Sequence, residues 1–469
     1  MKIPRIMIAA PMSGCGKTTV ACGLMQAFGS RGYRVAGAKC GPDYIDPMFH
    51  REVLGIDSQN LDLFFLRQEV MTRLFAEHAG RADVTVIEGV MGYYDGMALD
   101  SERASSYETA KALQAPVILT VNGKGAALSV LALLKGFLTF RKDHHIAGII
   151  LNRTSKAVYG RMKKMIEQGL WDMGYPVPVV GYVPEDPIFQ IESRHLGLVV
   201  PGELRDLQEA FVKIGKVFEE TMDLEAILRI AGAAGDLKIT EGAQRAAKAS
   251  PDGLRLAVAR DLAFCFYYKD NLRLFEELGC ELVPFSPLTD ACLPDGISGL
   301  LLGGGYPEVY AKELSENVRL RREIKAKLEG GLPCHAECGG FLYLHESMEG
   351  VDGIDYEMAG FIEGSAVRKD RLVRFGYVEI EGDQDGAYLE RGDTLKGHEF
   401  HYWDSSNNGD ACIARKPGRD VAWDCIHMKG NTFAGFPHIH YYSNLLFARR
   451  FVDRMRKFRA VREKEGKYI

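Results

Sequence analysis

The 469-residue sequence predicts two successive α/β domains, the first built on a parallel sheet covered on both faces. Three observations lead there. Short, continuously apolar segments alternate with helical spacings, the pattern of parallel strands with helices packed over them. The composition then shifts to an Ala-, Gly- and Lys-rich stretch ending in Ser250-Pro251-Asp252-Gly253, which reads as a linker. A second apolar and helical series begins at Leu254. The expected organisation is one domain over 1–232, a linker over 233–253 and a second domain over 254–469. Length agrees, because a chain of this size divides into roughly two or three domains.

Composition narrows the class. The chain is 46% apolar and 26% charged, enough for packed cores. A net charge of −5 and a pI near 6.2 argue against a general nucleic-acid binder, but leave room for an anionic ligand in a local basic site. No segment reaches the roughly 18 apolar residues of a membrane span. Met1-Lys2-Ile3-Pro4-Arg5 runs straight into the first strand without the features of a signal peptide. The cysteines are scattered with no C-x-x-C pair, so neither a zinc site nor a disulfide framework is expected, and the expected compartment is the cytoplasm.

In chain order, Ile6-Met7-Ile8-Ala9 reads as a buried strand. It is followed by Ala10-Pro11-Met12-Ser13-Gly14-Cys15-Gly16-Lys17-Thr18-Thr19, and Val20, Leu24, Ala27 and Phe28 then recur at helical spacing. A glycine-rich loop between a strand and a helix binds phosphate through backbone N–H groups and the helix N-terminus. Ser13, Gly14 and Gly16 are the expected cradle, Lys17 the charge on the outer phosphates and Thr18 a Mg²⁺ ligand. The pattern G-x-x-x-x-G-K-[ST] departs at Pro11, where it has Gly.

The next strand, Val35-Ala36-Gly37-Ala38, leads to Gly41-Pro42-Asp43-Tyr44-Ile45-Asp46-Pro47. Carboxylates beyond a strand end lie where open parallel sheets bind ligands, although an Asx-turn would account for Asp43 as well. Val84-Thr85-Val86-Ile87 ends in Glu88, a candidate Mg²⁺ ligand, with Asp95 on the glycine-rich loop behind it. Strands around 116–121, 147–151 and 179–183 complete the series, and Asn152 closes the second of these as an expected nucleotide contact.

The second series has strands at Leu254-Arg255-Leu256-Ala257-Val258-Ala259, at 281–285 and at 299–302, with a helix over about 268–278. Gly303-Gly304-Gly305-Tyr306-Pro307-Glu308 leaves backbone N–H groups open to a ligand oxygen. Cys338 in Ala336-Glu337-Cys338-Gly339-Gly340 resembles a nucleophile elbow with Cys for Ser. There the Gly339 N–H can hold an oxyanion and the helix N-terminus favours thiolate. Cys334, inside the strand, reads as inert. His438 is the candidate base and His440, two residues on along one side of a strand, the candidate orienting group. Gly397-His398-Glu399-Phe400-His401-Tyr402 lacks the H-E-x-x-H spacing of zinc proteases and is assigned no metal.

Together these stretches, with Arg194-His195-Leu196-Gly197-Leu198, resemble the cobyrinic acid a,c-diamide synthase family along nearly the whole chain. The resemblance implies a P-loop, dethiobiotin-synthetase-like ATP domain followed by a class I glutamine amidotransferase α/β domain. It places Mg²⁺ and phosphate handling on Asp43, Asp46, Glu88 and Asp95, the nucleophile on Cys338 and the base on His438. Gly304 and Gly339 would form the oxyanion site. The wider amidotransferase class has Glu two residues after the base, where this chain has His440; Cys265 stands where the family is expected to have Asn. The implied partners are ATP, Mg²⁺, glutamine and cobyrinic acid or a related tetrapyrrole, with no nucleic acid and no membrane, and a homodimer as an open assembly. Three alternatives stay open: the same chemistry on Ni-sirohydrochlorin or hydrogenobyrinate, a non-synthetic P-loop ATPase switch, and a catalytically dead scaffold.

Overall fold

The computed structural model describes residues 1–189, 201–240 and 253–464. The 194–198 stretch and most of the expected linker lie outside them. The chain divides into two compact units, Met1–Ala243 and Gln244–Ile469.

The first unit carries seven strands: β1 (Arg5–Ala9), β2 (Val35–Cys40), β3 (Ser58–Leu61), β4 (Val84–Glu88), β5 (Val117–Asn122), β6 (Ile146–Asn152) and β7 (Val179–Tyr182). They form one sheet in the order β3-β2-β4-β1-β5-β6-β7, with every neighbouring pair parallel. Ile6, Ile8, Val84, Val86, Ile118 and Ile150 pack in one core with Val20, Leu24 and Phe28 of helix α1 (Lys17–Ser30). β1 lies between β4 and β5, so the loop after it opens beside the end of β4. β3 departs from the apolar pattern: Ser-Gln-Asn-Leu is buried, and Asn60 holds the loop after β2 by donating to the carbonyls of Gly41 and Asp43. Residues after helix Leu224–Gly232 stay on this unit. The Arg5 guanidinium donates to the Gly235 carbonyl at 2.6 Å, and the Leu237 N–H to that of Met1 at 3.0 Å.

In the second unit a six-stranded sheet runs in the order Cys280–Phe285, Leu254–Ala259, Ile297–Leu302, Cys334–Glu337, Thr432–Gly435 and His427–Lys429. Only the last pair is antiparallel. A separate five-stranded antiparallel sheet includes Arg374–Gly382, Thr394–His401 and His438–Ile439. The expected α/β series does not include this sheet. Its strands alternate buried and exposed positions, as in a sheet wetted on one face. The chain crosses from Thr432–Gly435 to His438–Ile439 through Phe436 and Pro437, which carries His438 from one sheet to the other.

Candidate active sites

In the first unit, Gly14 and Gly16 both take left-handed backbone, with φ of 77° and 85°. At Gly16 a β-carbon would also collide with the Asn152 amide, which donates to the Cys15 carbonyl at 2.8 Å. Asn152 thus braces the loop at the start of α1. Ser13 lies exposed on the loop. Lys17 is buried and donates to the Met12 carbonyl at 3.2 Å. Burial and the neighbouring Lys39 lower its pKa, so an anion in the loop would meet an under-compensated cation.

Thr18, the next residue, donates its hydroxyl to Glu88 Oε1 at 2.5 Å. Lys39 Nζ reaches the same oxygen at 2.9 Å and Asp46 Oδ2 at 2.5 Å. Sequence reasoning missed Lys39. The signal was a lysine in an otherwise apolar strand, and in register it stands directly beside Glu88. Burial opposes its charge, but Asp46, Glu88 and Asp43 hold its pKa well above the lysine range. Burial raises the Glu88 carboxyl, yet Lys39 and hydrogen bonds from His50 and Thr18 hold it below the usual carboxylate range. His50, also missed, faces Glu88 Oε2 with Nε2 at 3.3 Å and is anchored by Ser58 at 2.9 Å. Asp43 makes the Asx-turn, accepting the Ile45 N–H at 2.8 Å, and adds negative field at Lys39 and Asp46. Asp95 accepts the Gly92 N–H at 2.9 Å within its own loop and acts on Lys17 through charge.

The implied Mg²⁺ can be tested on the donors. Two carboxylates, Asp46 and Glu88, already meet on one cation, the Lys39 ammonium, and the Thr18 hydroxyl shares the Glu88 oxygen, so the donors gathered there are hard oxygens. That donor chemistry suits Mg²⁺.

In the second unit, Cys338 has φ 46° and ψ −102° between strand Cys334–Glu337 and helix Gly339–Tyr343. This strained turn lifts the sulfur off the strand, and the Gly435 carbonyl fixes it by accepting the Cys338 N–H at 2.8 Å. His438 hydrogen-bonds the Cys338 thiol. Burial would lower the imidazole pKa, but Cys338 and Glu337 raise it to about 10. A β-carbon at Gly304 would collide with the His438 ring, so only glycine lets that backbone come so close. Gly339 lies against the same segment: a β-carbon there would meet the Gly305 nitrogen at 3.2 Å.

The expectation that His440 orients His438 meets a second candidate. The carboxylate facing His438 Nδ1 is Glu337 Oε2, at 3.6 Å. His440 is buried, with its ring 5.1 Å from that of Tyr268, and burial lowers its pKa to about 3, which leaves it neutral. Cys334 is fully buried, and burial pushes its thiol far above the usual range, in line with an inert cysteine.

A glycine-rich loop beside clustered oxygen donors in one unit and a thiol–imidazole pair at a strained elbow in the other fit the two halves of a glutamine-dependent amidoligase. The comparisons agree. Residues 6–199 match the "CobQ/CobB/MinD/ParA nucleotide binding domain" and residues 255–445 the "CobB/CobQ-like glutamine amidotransferase domain". A cobyrinate a,c-diamide synthase of Caldanaerobacter subterraneus subsp. tengcongensis is 41% identical over 455 residues, covering 96% of this chain and 98% of its own. Those of Listeria innocua and Salmonella typhimurium are 40% and 39% identical, covering 94% and 93% of this chain and 97% and 94% of theirs. The chain belongs to the cobyrinate a,c-diamide synthase family, and it is a carbon–nitrogen ligase with glutamine as nitrogen donor.

Proposed function

We propose that the two sites convert the a and c carboxylates of cobyrinate to amides, in cobalamin biosynthesis. Cys338 gives its proton to His438 and attacks the glutamine side-chain amide, with the Gly304 and Gly339 N–H groups facing the developing oxyanion. His438 returns the proton to the leaving nitrogen, ammonia departs, and water cleaves the thioester to glutamate. In the first unit the substrate carboxylate takes the terminal phosphoryl group of ATP, releasing ADP. Ammonia then displaces phosphate from the acyl phosphate to form the amide. ATP is required because a bare carboxylate is a poor electrophile.

Lys17 and the loop N–H groups hold the phosphates, and Lys39 neutralises charge beside them. Thr18, Asp46 and Glu88 would hold Mg²⁺, with Asp43 and Asp95 adding field rather than direct ligation. Bound there, the metal spreads the charge of the phosphates during transfer.

The observation that carries this reading is the Thr18–Glu88–Lys39–Asp46 cluster in a chain that also pairs Cys338 with His438. Ten free cysteines, and relatives that are biosynthetic enzymes, support a cytoplasmic setting. Among the described residues no helix is long and apolar enough to cross a membrane. The deciding experiment is product mass after incubation with ATP, Mg²⁺, glutamine and cobyrinate. Two successive carboxyl-to-amide changes are expected. No change on cobyrinate, with turnover on Ni-sirohydrochlorin or hydrogenobyrinate, would reassign the substrate.

A further inference from the structure

We propose that Glu337, the residue before the nucleophile, is the acid that orients His438, and that His335 and Tyr441 fix Glu337 in turn. This rests on the reading of Cys338 and His438 as nucleophile and base. It supplies the third member that the position of His440 leaves open.

The geometry runs through buried side chains. Glu337 Oε1 accepts the Ile439 N–H at 3.0 Å, which ties the carboxylate to the strand bearing His438. His335 Nε2 faces the same oxygen at 3.4 Å, and its Nδ1 lies 2.7 Å from the Tyr441 hydroxyl. The other oxygen, Oε2, is left turned toward His438 Nδ1 at 3.6 Å. Catalytic contacts of this length commonly tighten once substrate binds.

The polarity of the chain follows from which groups can donate. An ionised carboxylate only accepts, so His335 presents Nε2–H to it and Nδ1 accepts from the Tyr441 hydroxyl. His438 presents Nδ1–H to Oε2, which leaves Nε2 to take the Cys338 proton. In this role Glu337 holds the tautomer and stabilises the imidazolium, and it receives no proton itself. His335 is buried and its pKa is lowered by burial, with Glu337 opposing, so it acts as a neutral link.

The other titratable group near His438 on an adjacent strand is His398, opposite it in register. Burial and the His438 charge push His398 down to about 3, so it adds no charge at neutral pH. The groups that raise the His438 pKa are therefore Cys338 and Glu337.

Two variants test this in the full-length enzyme. Glu337→Gln keeps shape and removes the charge. Glutamine-dependent kcat is expected to fall about 10²- to 10⁴-fold, the range set by loss of an orienting acid. KM should change little. The alkaline limb of the kcat/KM profile for glutamine should move to lower pH, because the imidazolium loses a stabilising anion. The melting transition of the full-length enzyme reports whether the variant is folded, and ammonia-driven synthesis, which bypasses this site, should be retained. His335→Phe should lower glutamine-dependent kcat about 10-fold in the same sense.

Folded Glu337→Gln with ordinary kcat and an unmoved alkaline limb would overturn the proposal. If Glu337→Gln does not fold, His335→Phe decides, and an unchanged kcat there overturns the relay. Cys338→Ala separates the two levels. If it retains glutamine hydrolysis, the site itself has been misread. If it is inactive while Glu337→Gln is normal, only the role of Glu337 fails.

Discussion

Thr18 and Glu88 are 70 positions apart in sequence and share a hydrogen bond of 2.5 Å. The contact joins the first turn of the helix after the phosphate loop to the end of β4. Through Glu88 it also reaches Lys39 and His50, so the loop and the acidic cluster respond to substitution as one unit.

Replacing Lys17 with Ala should abolish synthesis with either glutamine or ammonium as nitrogen donor, while glutamine hydrolysis by the second unit continues. Rates measured side by side with both donors check this, and ordinary synthesis would refute the phosphate-loop assignment.

Lys39→Met leaves Asp46 and Glu88 buried without their cation. Breaking a buried charge pair costs about 3–5 kcal/mol, so the melting transition of the first unit should fall markedly. Added Mg²⁺ should recover part of that loss by replacing the missing positive charge. Calorimetry with and without the metal is the measurement; a melting temperature equal to that of the parent would show that the cluster is not a charge pair.

Glu88 gives the first unit an acid-sensitive component. Its folded pKa is below the unfolded value of 4.5, so its contribution is present above that value and is lost as pH falls below it. A Glu88→Gln variant should therefore be less stable near neutrality and lose less further stability below about pH 4.5. Urea midpoints across pH 3 to 7, the range in which carboxylates titrate, compare the two slopes.

Gly304→Ala brings a methyl group against the His438 ring. A displaced ring should cost glutamine-dependent kcat about 100-fold and spare ammonium-dependent synthesis. Equal losses with both donors would instead point to a folding defect.

The parallel strands, the phosphate loop and the elbow were legible because each has a local signature. Ile6 to Ala9 is apolar throughout, and Cys338 stands before Gly339 and Gly340. β3 was illegible because its polar residues are buried, Asn60 against the loop it holds, a tertiary effect that apolar periodicity does not register. Lys39 and His50 went unremarked for a related reason: each acquires its meaning only when β2 is laid beside β4. Glu337 was hidden in plain sight. The elbow pattern assigns that position no role, whereas His440 draws attention by its spacing from His438. The crossing at Phe436 and Pro437 leaves Nδ1 of His438 facing the elbow strand, a tertiary placement that sequence spacing does not register.

The elbow places the nucleophile and the acid facing its base on consecutive residues, while the base strand begins a hundred positions later; the Glu337–Ile439 hydrogen bond spans 102. During synthesis on the ribosome, domains fold from the N-terminal end as they emerge. The carboxylate-activating unit can therefore be complete while the thiol still lacks its partner. A growing chain that has passed Cys338 but not His438 holds a cysteine at the elbow with no imidazole to activate it, so glutamine is consumed only after the acceptor unit has been made.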